Sequence, residues 1–369
     1  MDVSRYTDTM ELKFDVEFIT PAFLGGADGN AEIRTAPFKN LIRRWWRIAN
    51  GNLSSEELWK KESELFGSTE KGVQGKSKVV LRILKSEIEF QRGNQLRFPE
   101  KTIKHTEVQN PMSFETYLGM GPIFWNKDSK KSEYKFLPIL EYKHEEKTKD
   151  ERKRKELIIP ERKSFISFAM TFPSGDEEAL KKILSYINFF GTVGSRSRNG
   201  WGSIQIKNVV SSNNETVNLL KINDIKAMSV DWLKIINKNC EKKYPVAIAK
   251  DEKGLLCWCA PQRNSWDEAM LDAARIYSAV RTYFKFTNTD SFNDRHLLGY
   301  PITHHNVEAW PVKNTRLPSE LCMKINFNQG KYRVQITHIP TLIHLMGFSI
   351  DKQLEIWNKV HDFFRYLHY

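Results

Sequence analysis

Apolar and polar residues alternate from Leu12 to Ile19, with Leu12, Phe14, Val16 and Phe18 on one face, which is the period of a half-buried strand, and Pro21 ends it. From Pro37, at a first helical position, Phe38, Leu41, Ile42, Trp45 and Ala49 recur at spacings of three and four, so a helix runs to about Asn50 and stops at Gly51. A glycine-containing loop from Gly67 to Gly75 leads into Ser77 to Phe90, which alternates again, as does Ser164 to Phe172. Ser174 with Glu177 three residues on has the form of a capping box. It opens a helix whose stripe is Leu180, Ile183, Leu184 and Ile187 and whose stop is Gly191. Ser203 to Val209 then reads as one more strand.

In chain order these elements are βαββαβ, the ferredoxin-like arrangement of four antiparallel strands with two helices on one face. Residues 91–162 are an insertion within it, and Lys143 to Glu156 is almost free of apolar residues, as a solvated loop is. The polar stretch 210–223 marks a boundary. The second half repeats the element types: strands Tyr244 to Ala249 and Gly254 to Ala260, a helix Ser265 to Lys285, strands near 321–327 and 331–339, and a last helix from Ile350 to Tyr369. The expected fold is α+β, two tandem ferredoxin-like (RRM-like) domains with antiparallel sheets and helices packed on one face, over residues 1–210 and 224–369.

Charge narrows the choice of partner. Lys and Arg number 57 against 45 Asp and Glu, a formal excess of +12, and such a bias favours polyanions. Cys240, Cys257, Cys259 and Cys322 lack the paired C-x-x-C spacing of a zinc ribbon and read as free thiols of a reducing compartment, so neither a metal nor another cofactor is expected. The N-terminal residues have neither a signal-peptide h-region nor a transit-peptide composition, and no apolar run reaches membrane-spanning length. A cytoplasmic protein without a membrane partner is expected.

Two segments carry candidate chemistry. On the first helix Asn40, Arg43, Arg44 and Arg47 point away from the sheet-facing stripe, with Lys39 and Trp46 at its edge. No acid stands between Arg34 and Arg47. Guanidinium groups bind phosphate in a bidentate way, and an aromatic such as Trp46 beside them would give an unstacked base a platform. A solvated helix face and a packed Trp are the plainer readings of the same residues. The loop from Gly191 to Gly202 holds Ser195, Arg196, Ser197, Arg198 and Asn199 among four glycines, with no acid. Glycine lets backbone N–H groups approach a phosphate, and hydroxyls and guanidinia add charge-assisted bonds. The loop lacks P-loop spacing and follows a helix, which argues against ATP, and a tight structural turn is the alternative. The histidines His296, His304 and His305 have no nucleophile or carboxylate context that would make them catalytic.

ITPAFLGGADGNAEIR, APFKNLIRRWWR, FGST before a strand, and GTVGSRSRNGWG together resemble the RAMP superfamily of CRISPR proteins over about residues 12–208, and the LIRRWWR form is similar to its Cmr (type III-B) subunit-one branch. That resemblance implies a non-catalytic subunit at one end of a hetero-oligomeric Cmr ribonucleoprotein in antiviral defence. Its implied partners are other Cmr subunits, the 3′ part of the guide RNA and the target RNA. The matching positions are Arg34, Lys39, Arg43, Arg44 and Arg47 around the helix and Ser195, Arg196, Ser197, Arg198 and Asn199 in the loop. Asn40 and Arg44 depart from the Gly and aromatic residue common in the family. Two other functions stay open: a metal-independent guide-RNA-processing endoribonuclease using the 296–305 histidines, and a protein-docking adaptor presenting Phe124, Trp125 and Tyr134.

Overall fold

Strand β1 (Thr9–Phe18) turns Leu12, Phe14, Val16 and Phe18 into the interior, as the alternation requires. Helix α1 (Thr35–Ala49) lays Phe38 on the Phe18 and Phe168 rings, at centroid distances of 6.4 and 4.8 Å. A second helix, α2 (Ser55–Phe66), follows almost at once. Apolar periodicity does not announce it, but Ser54 and Glu57 form a reciprocal capping box at its start. Strand β2 (Val80–Glu87) is followed by inserted elements, among them α3 (Phe114–Gly119) and the hairpin β3 (Ile123–Asn126) and β4 (Lys131–Tyr134). The chain then returns through β5 (Phe165–Pro173), α4 (Glu177–Phe190) and β6 (Ile204–Ser211). The sheet order is β6-β1-β5-β2, antiparallel throughout, and α1 and α4 cover the face that bears Phe14 and Val16. The Ser174 hydroxyl does not cap α4. It donates to the Asp8 carboxylate, and a 3₁₀ turn (Ser174–Asp176) precedes the helix.

This is a computed structural model in which residues 8–25, 31–70, 75–90, 101–108, 110–134, 139–140, 164–236, 246–286, 292–300, 302, 307–308, 316–343 and 348–366 are described. The polar piece 143–156, His304, His305 and Cys240 lie outside them. The second half contains β7 (Cys257–Cys259), α5 (Trp266–Tyr283), β8 (Leu321–Asn328), β9 (Lys331–His338) and α6 (Ile350–Tyr366). Its main sheet, ordered β7-β9-β8, is antiparallel and has three strands among the described residues, where a ferredoxin-like module would have four. The fold is mixed α+β with antiparallel sheets. Cys257, Cys259 and Cys322 are free, half-buried thiols. Among the described residues no helix is long and apolar enough to cross a membrane, and no group of three or more His, Cys, Asp or Glu is placed to hold a metal.

Two cores organise the chain, and they interleave rather than divide at residue 210. Ile103, Phe114, Leu118 and Ile123 of the insertion pack into the second core with Trp258, Ile325 and Trp357, while Ile225, Ile248 and Ile339 of the second half pack into the first. Lys324 of β8 crosses between them. Fully buried, it donates to the Ile187 carbonyl (3.2 Å) and to that of Asn188, at the C-terminal end of α4 where the helix dipole favours a cation.

Inside the second half Glu320 is buried with Thr341, His338 and His361 in a hydrogen-bonded chain. Burial pushes the Glu320 carboxyl up to about 8 and His338 down to about 3, so at neutral pH the acid keeps its proton and donates it to a neutral imidazole. Through Glu320 the native state holds a proton that the unfolded chain releases above the ordinary Glu range, a contribution to stability that is lost as pH rises from about 4.5 to about 8, while the depressed His338 and His361 contribute in the opposite sense up to about 6.5. The histidine contributions being common to both, urea titrations of the parent and of Glu320→Gln at pH 5 and pH 8 should differ in their pH dependence by the Glu320 contribution, on the order of a few kcal/mol, the parent faring worse at pH 8 relative to pH 5 than the variant. An equal slope in the variant would place the titration elsewhere.

Candidate nucleic-acid interface

Helix α1 buries Phe38, Leu41, Ile42, Trp45, Ile48 and Ala49, and it also buries Trp46. The Trp46 ring is 5 % exposed and meets Phe66 edge-on at 6.1 Å, so it packs α2 onto α1 and is no platform for a base. The wheel placed it at the edge of the stripe because it did not include α2, which covers that edge.

The same helix takes up two of the arginines. Arg43 and Arg47, one turn apart on α1, donate through Nε to the two oxygens of the Glu62 carboxylate, which is buried on α2. Their first role is to neutralise a buried acid that would otherwise carry a desolvation penalty. Lys39, half-buried beside Arg43, has its ammonium pushed below the usual lysine range by burial and then by the Arg43 charge. Arg34 donates to the Gly25 carbonyl (2.9 Å) and lies 4.0 Å from Glu32. Of the α1 cations Arg44 is directed elsewhere, toward the Cys322 thiol of β8 at 3.6 Å.

The glycine loop is a seam, not a flexible clasp. On one side the Ser195 N–H donates to the Phe23 carbonyl (2.9 Å) and the Gly202 N–H to the Pro21 carbonyl (2.8 Å). On the other the Arg198 carbonyl accepts from the Met323 N–H, and the Ser203 hydroxyl accepts from the Ile325 N–H, both at 2.8 Å. Asn199 donates its amide to the Leu118 carbonyl (2.8 Å), and Trp201 is fully buried against Phe23 and Trp266. Glycine is required here by proximity: at Gly202, with φ +63°, a Cβ would stand 1.9 Å from the Val193 carbonyl oxygen. Asn199 is thus committed internally, while Ser195 remains exposed and Ser197 half-buried.

The loop arginines differ from those on α1. Arg198 donates to the Ser319 carbonyl, and Arg196 reaches over Gly121, 3.6 Å from where a Cβ would stand. Desolvation lowers both below the ordinary guanidinium value. Arg44 adds a like charge beside Arg198, Arg316 adds one beside Arg196, and the Tyr277 ring of α5 lies near both loop arginines. Among the described residues none of Arg44, Arg196, Arg198 and Arg316 forms an ion pair with a carboxylate. The buried Glu320 acts on Arg198 electrostatically, raising it, but forms no ion pair with it among the described residues. The structure thus gathers Arg44 from α1 with Arg196 and Arg198 from the loop and adds Arg316, which the sequence reading did not select. The signal for Arg316 is tertiary: residue 316 lies far along the chain in a basic protein where single arginines say little.

Guanidinium groups that share no acid have the chemistry to bind phosphate in a bidentate way. Of the other expected sites, His296 is fully buried and its Nδ1 accepts the Asn293 N–H at 2.9 Å, a structural role. Phe124 and Trp125 on the β3 strand are 40 % and 49 % exposed, as a docking surface would need.

Breaking the α1–α2 pairing has a calculable effect. Glu62→Ala should cost about 1–3 kcal/mol in urea unfolding, less than the figure for a fully buried pair because both arginines are partly in solvent. Trp46→Ala should cost about 3–5 kcal/mol, the usual figure for emptying an aromatic site. Unfolding midpoints equal to that of the parent would show that neither group holds α2 in place.

A family model described as the RAMP superfamily matches residues 15–205. A Pyrococcus furiosus protein named CRISPR system Cmr subunit Cmr1-2 is 31 % identical over 208 residues, spanning 53 % of this chain and 95 % of that protein. The apo crystal structure of Cmr1 from Pyrococcus furiosus aligns with 95 % of this chain and 96 % of its own at 16 % identity and a TM-score of 0.44. A cryo-EM structure of the type III-B Cmr-beta bound to cognate target RNA aligns with 95 % of this chain and 99 % of its own at 13 % identity and a TM-score of 0.47. With the family model matching residues 15–205, from within β1 to the start of β6 and more than half of the sequence, this chain belongs to the RAMP superfamily.

Proposed function

We propose that the chain is a non-catalytic, RNA-binding subunit of a type III-B CRISPR (Cmr) effector ribonucleoprotein, contacting the 3′ part of the guide RNA, the target RNA, or both. Membership of the RAMP superfamily and the Cmr relative support the assembly. On this reading both halves are ferredoxin-like modules, the second a divergent one, and the protein works in the cytoplasm with sister subunits as partners. The RNA face is the unpaired row of Arg44, Arg198, Arg196 and Arg316 rather than the outer side of α1.

The observation that carries the RNA reading is the backbone of Arg196. Its φ is +57°, a left-handed conformation that costs a non-glycine residue roughly 1–2 kcal/mol, in a loop where Gly194, Gly200 and Gly202 occupy such positions freely. An arginine held there at a conformational cost, exposed and without an acid partner, is explained by what its side chain binds.

Arg196→Gly separates that role from folding. It should leave thermal stability unchanged or slightly raised, since it relieves the strain, while weakening single-stranded RNA binding and reducing the slope of log K against log salt by about 0.7 for the lost phosphate contact. An unchanged slope would remove the proposal. Incubation of purified protein with guide-repeat RNA in EDTA should leave the RNA intact, and site-specific cuts abolished by His304→Ala or His305→Ala would establish the ribonuclease alternative instead.

A further inference from the structure

A cavity of about 490 Å³ opens beside α1 and α2, apart from the arginine row. Its size falls within the range of small-molecule sites, roughly 300–1,000 Å³. One wall is the indole of Trp59, which at 39 % exposure is among the few large aromatic rings on this surface. Phe66 adds an apolar lining residue, and the Trp46 ring meets it edge-on at 6.1 Å. Arg43, Glu70, Thr69 and Ser77 supply the polar lining.

The charges in this cavity decide what it can accept. Arg43 is already bound to the buried Glu62 carboxylate, and Glu70 adds a second acid to the lining. Among the described lining residues a phosphate would meet no net positive charge, in contrast to the row at Arg196. An uncharged planar ring would find a face to stack on and donors and acceptors at its edge, which is how proteins hold an unstacked base.

We propose that the cavity lined by Trp59 and Phe66 takes a single nucleobase turned out of a bound RNA strand, stacked on the Trp59 indole. Trp46 and Glu62 are then positioning residues, the first holding Phe66 and the second orienting Arg43. The occupant being a base of RNA rests on the RNA-binding function proposed above, but the cavity's affinity for a nucleobase can be measured without it.

Two measurements on the full chain test the inference. In the first, uridine, cytidine, adenosine and guanosine, which carry no phosphate, are titrated while the indole N–H signals are followed by NMR, the Trp59 signal being the one that Trp59→Phe removes. At least one nucleoside should shift that signal in a saturable way, and no shift with any of the four would overturn the proposal. In the second, single-stranded RNA and inorganic polyphosphate of similar charge are compared as ligands. Trp59→Ala should weaken RNA about ten-fold, within the range for one stacked base, and leave polyphosphate unchanged, with Trp59→Phe recovering most of the loss. An equal loss for both polymers, or for neither, would count against the base site. Arg196→Ala should weaken both polymers, and its failure to do so would strike the phosphate row while leaving the Trp59 result to be read by itself.

Discussion

The backbone pairing of residues 191–203 with both halves of the molecule is the constraint from which the rest of the architecture follows. One run of chain hydrogen-bonds to the Pro21–Phe23 segment behind it and to β8 in front of it, with Trp201 sealed between them. That close passage is possible only where side chains are missing, which places Gly194, Gly200 and Gly202, all with positive φ, at the points of tightest approach. Lys324, donating to the end of α4, ties the same junction from the other side. Because the loop is clamped, whatever its arginines present is presented at fixed positions. Pre-organisation of this kind lowers the entropy that a polymeric ligand would otherwise have to overcome.

Against that frame the basic residues fall into two kinds. Arg43 and Arg47 answer a buried carboxylate, and their contribution is to keep α2 on α1. Arg44, Arg196, Arg198 and Arg316 answer no acid, and two of them press on the others with like charge. Accumulating repulsion without a compensating anion opposes folding, and on the proposed reading the bound RNA supplies that anion. The excess of +12 is in this sense unevenly used: part is consumed inside the first core, and part is concentrated at the seam.

Alternation and helical spacing located the elements of the first half well, because β1, β5 and α4 each have one apolar face and a glycine or proline at an end. The long helices α5 and α6 were legible for the same reason. What escaped was tertiary. Glu62 lies in SEELWKKESELF, whose charged look hides a buried acid, and without α2 neither the pairing of Arg43 nor the covering of Trp46 could be seen. The seam role of the glycine loop was only half legible: four glycines announced a close approach, but not that the approach was to Phe23, Val193 and Met270 of the chain itself. The packing of insertion residues Ile103 and Leu118 into the second core had no local signature at all.

The central claim concerns where RNA touches the chain, and photo-crosslinking with mass-spectrometric mapping on the assembled ribonucleoprotein addresses it directly. Crosslinked nucleotides should fall on peptides containing Arg196, Arg198 and Arg316. A map in which those peptides stay bare, while crosslinks collect on α6 or on the polar side of α5, would contradict the account.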